Sequence, residues 1–116
     1  MTVLYGIPNC DTVKRARQWL VQHDVQHEFH DYRKQGVPAD RLARWVDVLG
    51  WERVLNRKGT AWRSLEAKRQ AAVTDGASAQ AVMREVPSTI KRPIVEWPEG
   101  RLTVGFDEAA WAAGLG

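Results

Sequence analysis

A change of hydrophobic period at Cys10 constrains this chain more than any other feature. Residues 2–5 (TVLY) are apolar, β-branched or aromatic and stop at Gly6 and Pro8, the pattern of a buried strand ending in a tight loop. From Asp11 onward the apolar positions recur at three and four, through Val13, Ala16, Leu20 and Val21 with Trp19 alongside, which is the spacing of an amphipathic helix. Asn9 is its expected N-cap. Residues 25–32 (VQHEFHDY) then alternate and predict a second strand. The first third therefore reads β-α-β, with a cysteine where loop passes into helix.

Beyond Val37 the period stays helical for a long stretch. Pro38-Ala39 opens a helix carrying Leu42, Trp45, Val46 and Leu49 and ended by Gly50, followed by a short segment over residues 51–55. Gly59-Thr60 is expected to cap one helix running through Trp62, Leu65 and Lys68, and Ser78 another over residues 79–86, which Pro87 stops. Residues 93–97 (PIVEW), the turn at 98–100 and residues 101–104 (RLTV) predict an antiparallel hairpin, after which Asp107 caps a last helix holding Ala110, Trp111 and Leu115. The order is β-α-β, helices, β-β-α. With 116 residues the expectation is one domain, its core formed by 1–32 and 87–116 and carrying a helical insert at 38–86.

Composition removes several classes of function. Hydrophobic residues make up 44% and charged residues 27%, which is globular composition rather than a disordered one. No apolar run approaches the roughly 18 residues of a membrane span, and the first residues lack the form of a secretory signal, so a cytoplasmic protein without a membrane partner is expected. The net charge of +3 is too small to imply nucleic acid, and its excess falls in 39–86, where a solvated helical surface accounts for it. His23, His27 and His30 span a helix end and a strand with no clustered acid, so no metal is expected. The six tryptophans stand mostly at helical apolar positions and read as core.

A single cysteine excludes an intramolecular disulfide, a Cys-x-x-Cys pair and a multi-cysteine zinc site. Its position at the start of a helix favours a thiolate. An ordinary thiol of pKa about 8.5 is only a few per cent ionised at pH 7, and bringing one to about 6 needs about 3.4 kcal/mol. A helix terminus supplies roughly 0.3–1 kcal/mol and at most about 2. A reactive thiol here therefore requires fixed cations or direct N–H donors. Lys14, one helical turn on, is one candidate. Arg57 and Lys58 stand in a turn between apolar segments, and Arg92 immediately precedes Pro93 at the entry to a strand.

The stretch Tyr5-Gly6-Ile7-Pro8-Asn9-Cys10-Asp11-Thr12, together with Arg57-Lys58-Gly59-Thr60, Lys91-Arg92-Pro93-Ile94 and Val104-Gly105-Phe106, resembles the arsenate reductase/Spx family, and within it the YffB proteins. The resemblance covers essentially the whole chain. It implies an α/β, thioredoxin-like fold with a mixed four-stranded sheet and a helical insert, a nucleophilic cysteine at Cys10, and a cis-proline opposite it at Pro93. By the same likeness, Arg57 and Arg92 match two arginines around the anion site of arsenate reductases, while the third falls on Val104. The Spx regulators carry a second cysteine three residues on, where this chain has Val13.

The expected function is that of a monomeric, glutathione-dependent thiol reductase in which Cys10 attacks a disulfide or glutathione mixed disulfide and glutathione, as co-substrate, regenerates it. Arg57 and Arg92 would stabilise the thiolate and hold a carboxylate, and Lys14 and the backbone beside Pro93 would contact the bound thiol compound. The oxidised substrate itself is left unidentified. Two alternatives stand beside this reading: a regulator that binds RNA polymerase as Spx does, and an arsenate reductase with a depleted oxyanion site.

Overall fold

The computed structural model describes residues 1–115, of Leu115 only the main chain, so the Leu115 side chain expected in the last helix lies outside the described residues. Two compact units are formed, one by Met1–Tyr32 and the segment beginning at Arg92, the other by Arg33–Lys91.

The first unit is a mixed sheet with helices. Strands β1 (Thr2–Gly6), β2 (His27–Asp31), β3 (Ile94–Glu96) and β4 (Leu102–Val104) lie in the order β2-β1-β3-β4. β1 and β2 run parallel, joined by helix α1 (Asp11–Gln22), and the two later strands are antiparallel to their neighbours. The β3–β4 hairpin turns through a 3-10 segment at Pro98–Gly100, where Glu99 takes a left-handed φ of 67° and the Trp97 N–H donates to the Arg101 carbonyl at 2.8 Å.

One face of this sheet holds Leu4 and Val95. With Val13, Ala16, Trp19 and Leu20 of α1, Trp97, and Trp111 of the last helix, they make one buried cluster. Trp111 sets its ring edge-on to Trp19, Trp97 and Phe106 at centroid distances of 5.3, 5.0 and 4.7 Å, the arrangement that aromatic quadrupoles prefer. The last helix (Glu108–Leu115) is capped as expected, the Asp107 carboxylate accepting the Ala110 N–H at 3.1 Å.

The second unit contains α2 (Tyr32–Gln35, which begins at the boundary), α3 (Ala39–Leu49), α4 (Trp51–Val54), α5 (Thr60–Arg63), α6 (Ala67–Ala71) and α7 (Gly76–Glu85), so the last helix of the chain is α8. α3 packs on α4 and α7, burying Leu42, Trp45, Val46, Val54, Val82 and Met83.

Four expectations are corrected. α1 is entered through Cys10 rather than Asn9. The helix expected through Lys68 is broken into α5 and α6, because Ser64 Oγ bonds back to the Thr60 carbonyl and Gln70 Nε2 donates to the Trp62 carbonyl, closing a turn between the two. α7 is capped by Asp75, with Ser78 completing a reciprocal capping box from inside the first turn. The helical unit also reaches beyond 38–86. Ile90 bridges Leu55, and the Lys91 N–H donates to the Val54 carbonyl at 2.8 Å, so residues 87–91 hydrogen-bond within it. Among the described residues no helix is long and apolar enough to cross a membrane.

Candidate active site

Cys10 stands just past the carboxyl end of β1. Its backbone is extended (φ −142°, ψ 122°), and its carbonyl accepts the Lys14 N–H at 2.9 Å, so Cys10 is the N-cap of α1. The side chain is half-buried against the core cluster and accepts no capping hydrogen bond from α1. The approach to it is tight. A Cβ at Gly6 would sit 2.9 Å from Val13 Cγ2, so only glycine lets the end of β1 lie against the helix.

The strand register decides what shares this end of the sheet. Gly6 pairs with Asp31, Tyr5 with Ile94 and Ile94 with Val104, so the ends of β1, β2 and β4 meet the start of β3. Arg92 and Pro93 lead into β3 and are thereby brought to the same end as the Cys10 loop. The Arg92–Pro93 peptide is cis. Pro93 is buried and its carbonyl accepts the Gly105 N–H at 2.9 Å, fastening the two loops to each other. Arg92 is half-buried and has no ion-pair partner among the described residues. No hydrogen bond joins it to Cys10 there either.

Below this end lies a buried polar group that sequence reasoning missed. Tyr5 donates its hydroxyl proton to Glu96 Oε1 at 2.8 Å. The Tyr5 ring lies 6.5 Å from Tyr32 and 4.8 Å from His30. Burial holds the Tyr32 phenol well above the ordinary tyrosine range. The Arg92 charge pulls against that, and Tyr5 and Glu96 add to it. Arg92 thus lies within electrostatic reach of the Tyr32 hydroxyl. The only signal in the sequence is a glutamate inside an apolar strand run, which alternation alone assigns to solvent.

The remaining candidates are placed as follows. Lys14 is exposed one turn into α1. Arg57 belongs to the helical unit, with its side chain 49% exposed, 3.8 Å from the Glu52 carboxylate and with its guanidinium carbon 5.4 Å from the Trp51 ring centroid. Its loop is closed by Asn56, whose side chain accepts the Lys58 N–H at 3.1 Å and would lie 2.7 Å from any Cβ at Gly59. Val104, a hydrocarbon on β4, offers no donor to an oxyanion. The histidines have local roles: His23 stacks on Trp19 at 3.9 Å, and His27 Nδ1 donates to the Val25 carbonyl at 2.8 Å.

The sequence signature of the ArsC family matches residues 5–113. The chain belongs to the ArsC family. It is similar over its full length to the solved structure of a protein called YffB, with 46% identity, all of both chains covered and a TM-score of 0.93. An arsenate reductase-related protein of Brucella melitensis is 43% identical, with 98% of this chain and 93% of that one covered and a TM-score of 0.75. The global transcriptional regulator Spx of Lactiplantibacillus plantarum is 24% identical over 93% of this chain and 81% of its own length. The ArsC fold accounts for the mixed sheet found here, and the likeness to YffB extends over every element that builds the Cys10 end.

Proposed function

We propose that this ArsC-family chain is a glutathione-dependent thiol reductase working through Cys10. The observation that carries the reading is one half-buried cysteine, capping a helix at the sheet end where Arg92 enters β3, in a chain with no second cysteine. α1 offers the sulfur a dipole but no capping hydrogen bond, and in this proposal the Arg92 guanidinium supplies further stabilisation of a Cys10 thiolate. Arg92 makes no ion pair within 4 Å among the described residues.

The cycle needs two exchanges. The Cys10 thiolate attacks the glutathione sulfur of a mixed disulfide, forming a new S–S bond while the old one breaks. The leaving thiolate takes a proton and departs as the reduced substrate. The thiolate of a second glutathione then attacks the Cys10-bound glutathione, releasing glutathione disulfide and restoring the Cys10 thiolate. Each turnover consumes one free glutathione, whose sulfur is oxidised as the substrate sulfur is reduced, so that the mixed disulfide and one thiol give the substrate thiol and glutathione disulfide, and no resolving cysteine is required. The main chain of Arg92 pairs with the peptide of the bound thiol, because Pro93 has no N–H and its carbonyl already accepts Gly105. For Arg57 the proposal is a hold on an anionic group of the substrate, a role that rests on its match to the family's arginine.

The test is turnover of a glutathionylated peptide coupled to glutathione reduction. The intact protein is expected to turn over and Cys10→Ser to fall to the uncatalysed rate. Equal rates for the two proteins would overturn the proposal.

A further inference from the structure

The outer side of α1 carries a shallow groove of about 510 Å³ lined by Lys14, Arg17, Gln18, Val21, Gln22 and His27. Its lining includes a lysine and an arginine, an imidazole, two amides and no acid. Arg17 is held in place by stacking, its guanidinium carbon 4.2 Å from the Phe29 ring centroid, which leaves the N–H edge of the fork open to a carboxylate. Val21 is 67% exposed, an uncommon degree of exposure for a large apolar side chain of this protein. Positions 14, 17, 18 and 21 follow one face of the helix, whose first residue directly follows Cys10, so the groove runs along α1 away from the end that Cys10 caps.

We propose that this groove selects acidic peptide segments, which makes the substrates protein disulfides with carboxylates near the reactive cysteine; the inference rests on the reductase reading above. A helix advances about 1.5 Å per residue, so Lys14 and Arg17 lie about 6 and 10 Å along the axis from Cys10. An extended peptide advances about 3.3 Å per residue. Carboxylates two and three residues from the substrate cysteine therefore fall opposite the two cations, with the Val21 methyls beyond them.

Two glutathionylated cysteinyl peptides test this, one with Asp and Glu two and three residues from the cysteine and one with Ala at both places, alongside binding of the acidic peptide with Ser replacing Cys. The expected result is a kcat/KM roughly tenfold higher for the acidic peptide at low ionic strength, shrinking toward equality at about 0.5 M salt. The preference should fall at least threefold in Arg17→Gln and in Gln18→Glu, the second changing only an exposed amide. Equal turnover of both peptides would overturn the groove and leave the reductase reading standing. No turnover of either peptide, with binding of the acidic one weakened by Gln18→Glu, would overturn the reductase reading and support the groove. Neither turnover nor binding would overturn both.

Discussion

The Tyr5 hydroxyl donates to Glu96 Oε1 at 2.8 Å inside the first unit, tying β1 to β3 just below the sheet end that holds Cys10 and Arg92. Tyr5 is opposite Ile94 and Glu96 opposite Val3, so the two side chains sit diagonally on one face of the antiparallel pair. Both are buried. Removing a donor from a buried carboxylate leaves part of its desolvation uncompensated, so Tyr5→Phe should lower stability by about 1–3 kcal/mol in urea unfolding. Glu96→Gln keeps an acceptor for the Tyr5 proton and should cost less than Tyr5→Phe.

Gly6→Ala puts a Cβ 2.9 Å from Val13 Cγ2. The helix must then move off the strand or Val13 must leave its rotamer, at a cost of about 1–3 kcal/mol. Chemical denaturation of Gly6→Ala, Val13→Ala and the double variant checks this. The steric account expects the double variant to lose less than the two single losses together.

Tyr32 sets an alkaline limit. Its folded pKa is raised above the ordinary 10.0, chiefly by burial, so the unfolded chain gives up that proton first. The contribution of Tyr32 to stability is complete below pH 10 and is lost as pH rises beyond it. Tyr32→Phe should therefore flatten the fall in Tm above pH 10, and in the wild type one tyrosine should ionise only together with unfolding when phenolate absorbance is followed.

Much of this architecture is legible in the sequence where period and punctuation agree. β1, α1 and the β3–β4 hairpin are marked by TVLY, by the three-four spacing after Asp11 and by Pro98-Glu99-Gly100. The α5–α6 break is not, because side-chain bonds from Ser64 and Gln70 close it and neither leaves a composition signal. Asp75 was hidden by Gly76, a poor helix former in the first helical position. The candidate site divides in the same way. Cys10 is marked by its place between strand and helix, and the meeting of Arg92 with the Cys10 end depends on β1–β3 register, which periodicity does not carry. The cis form of Pro93 agrees with the family resemblance. Glu96 was unreadable because burial of a carboxylate needs a partner 91 residues away in sequence.

The most direct test of the central claim is the rate of Cys10 alkylation by iodoacetamide at pH 6.5, with and without prior treatment with glutathione disulfide, in the wild type and in Arg92→Ala. The account predicts rapid alkylation of the wild type, complete protection by a single glutathione adduct that added glutathione removes, and a rate at least tenfold slower in Arg92→Ala, with Arg92→Lys between them. Alkylation no faster than that of a free thiol, unchanged by Arg92→Ala and unprotected by glutathione disulfide, would contradict it.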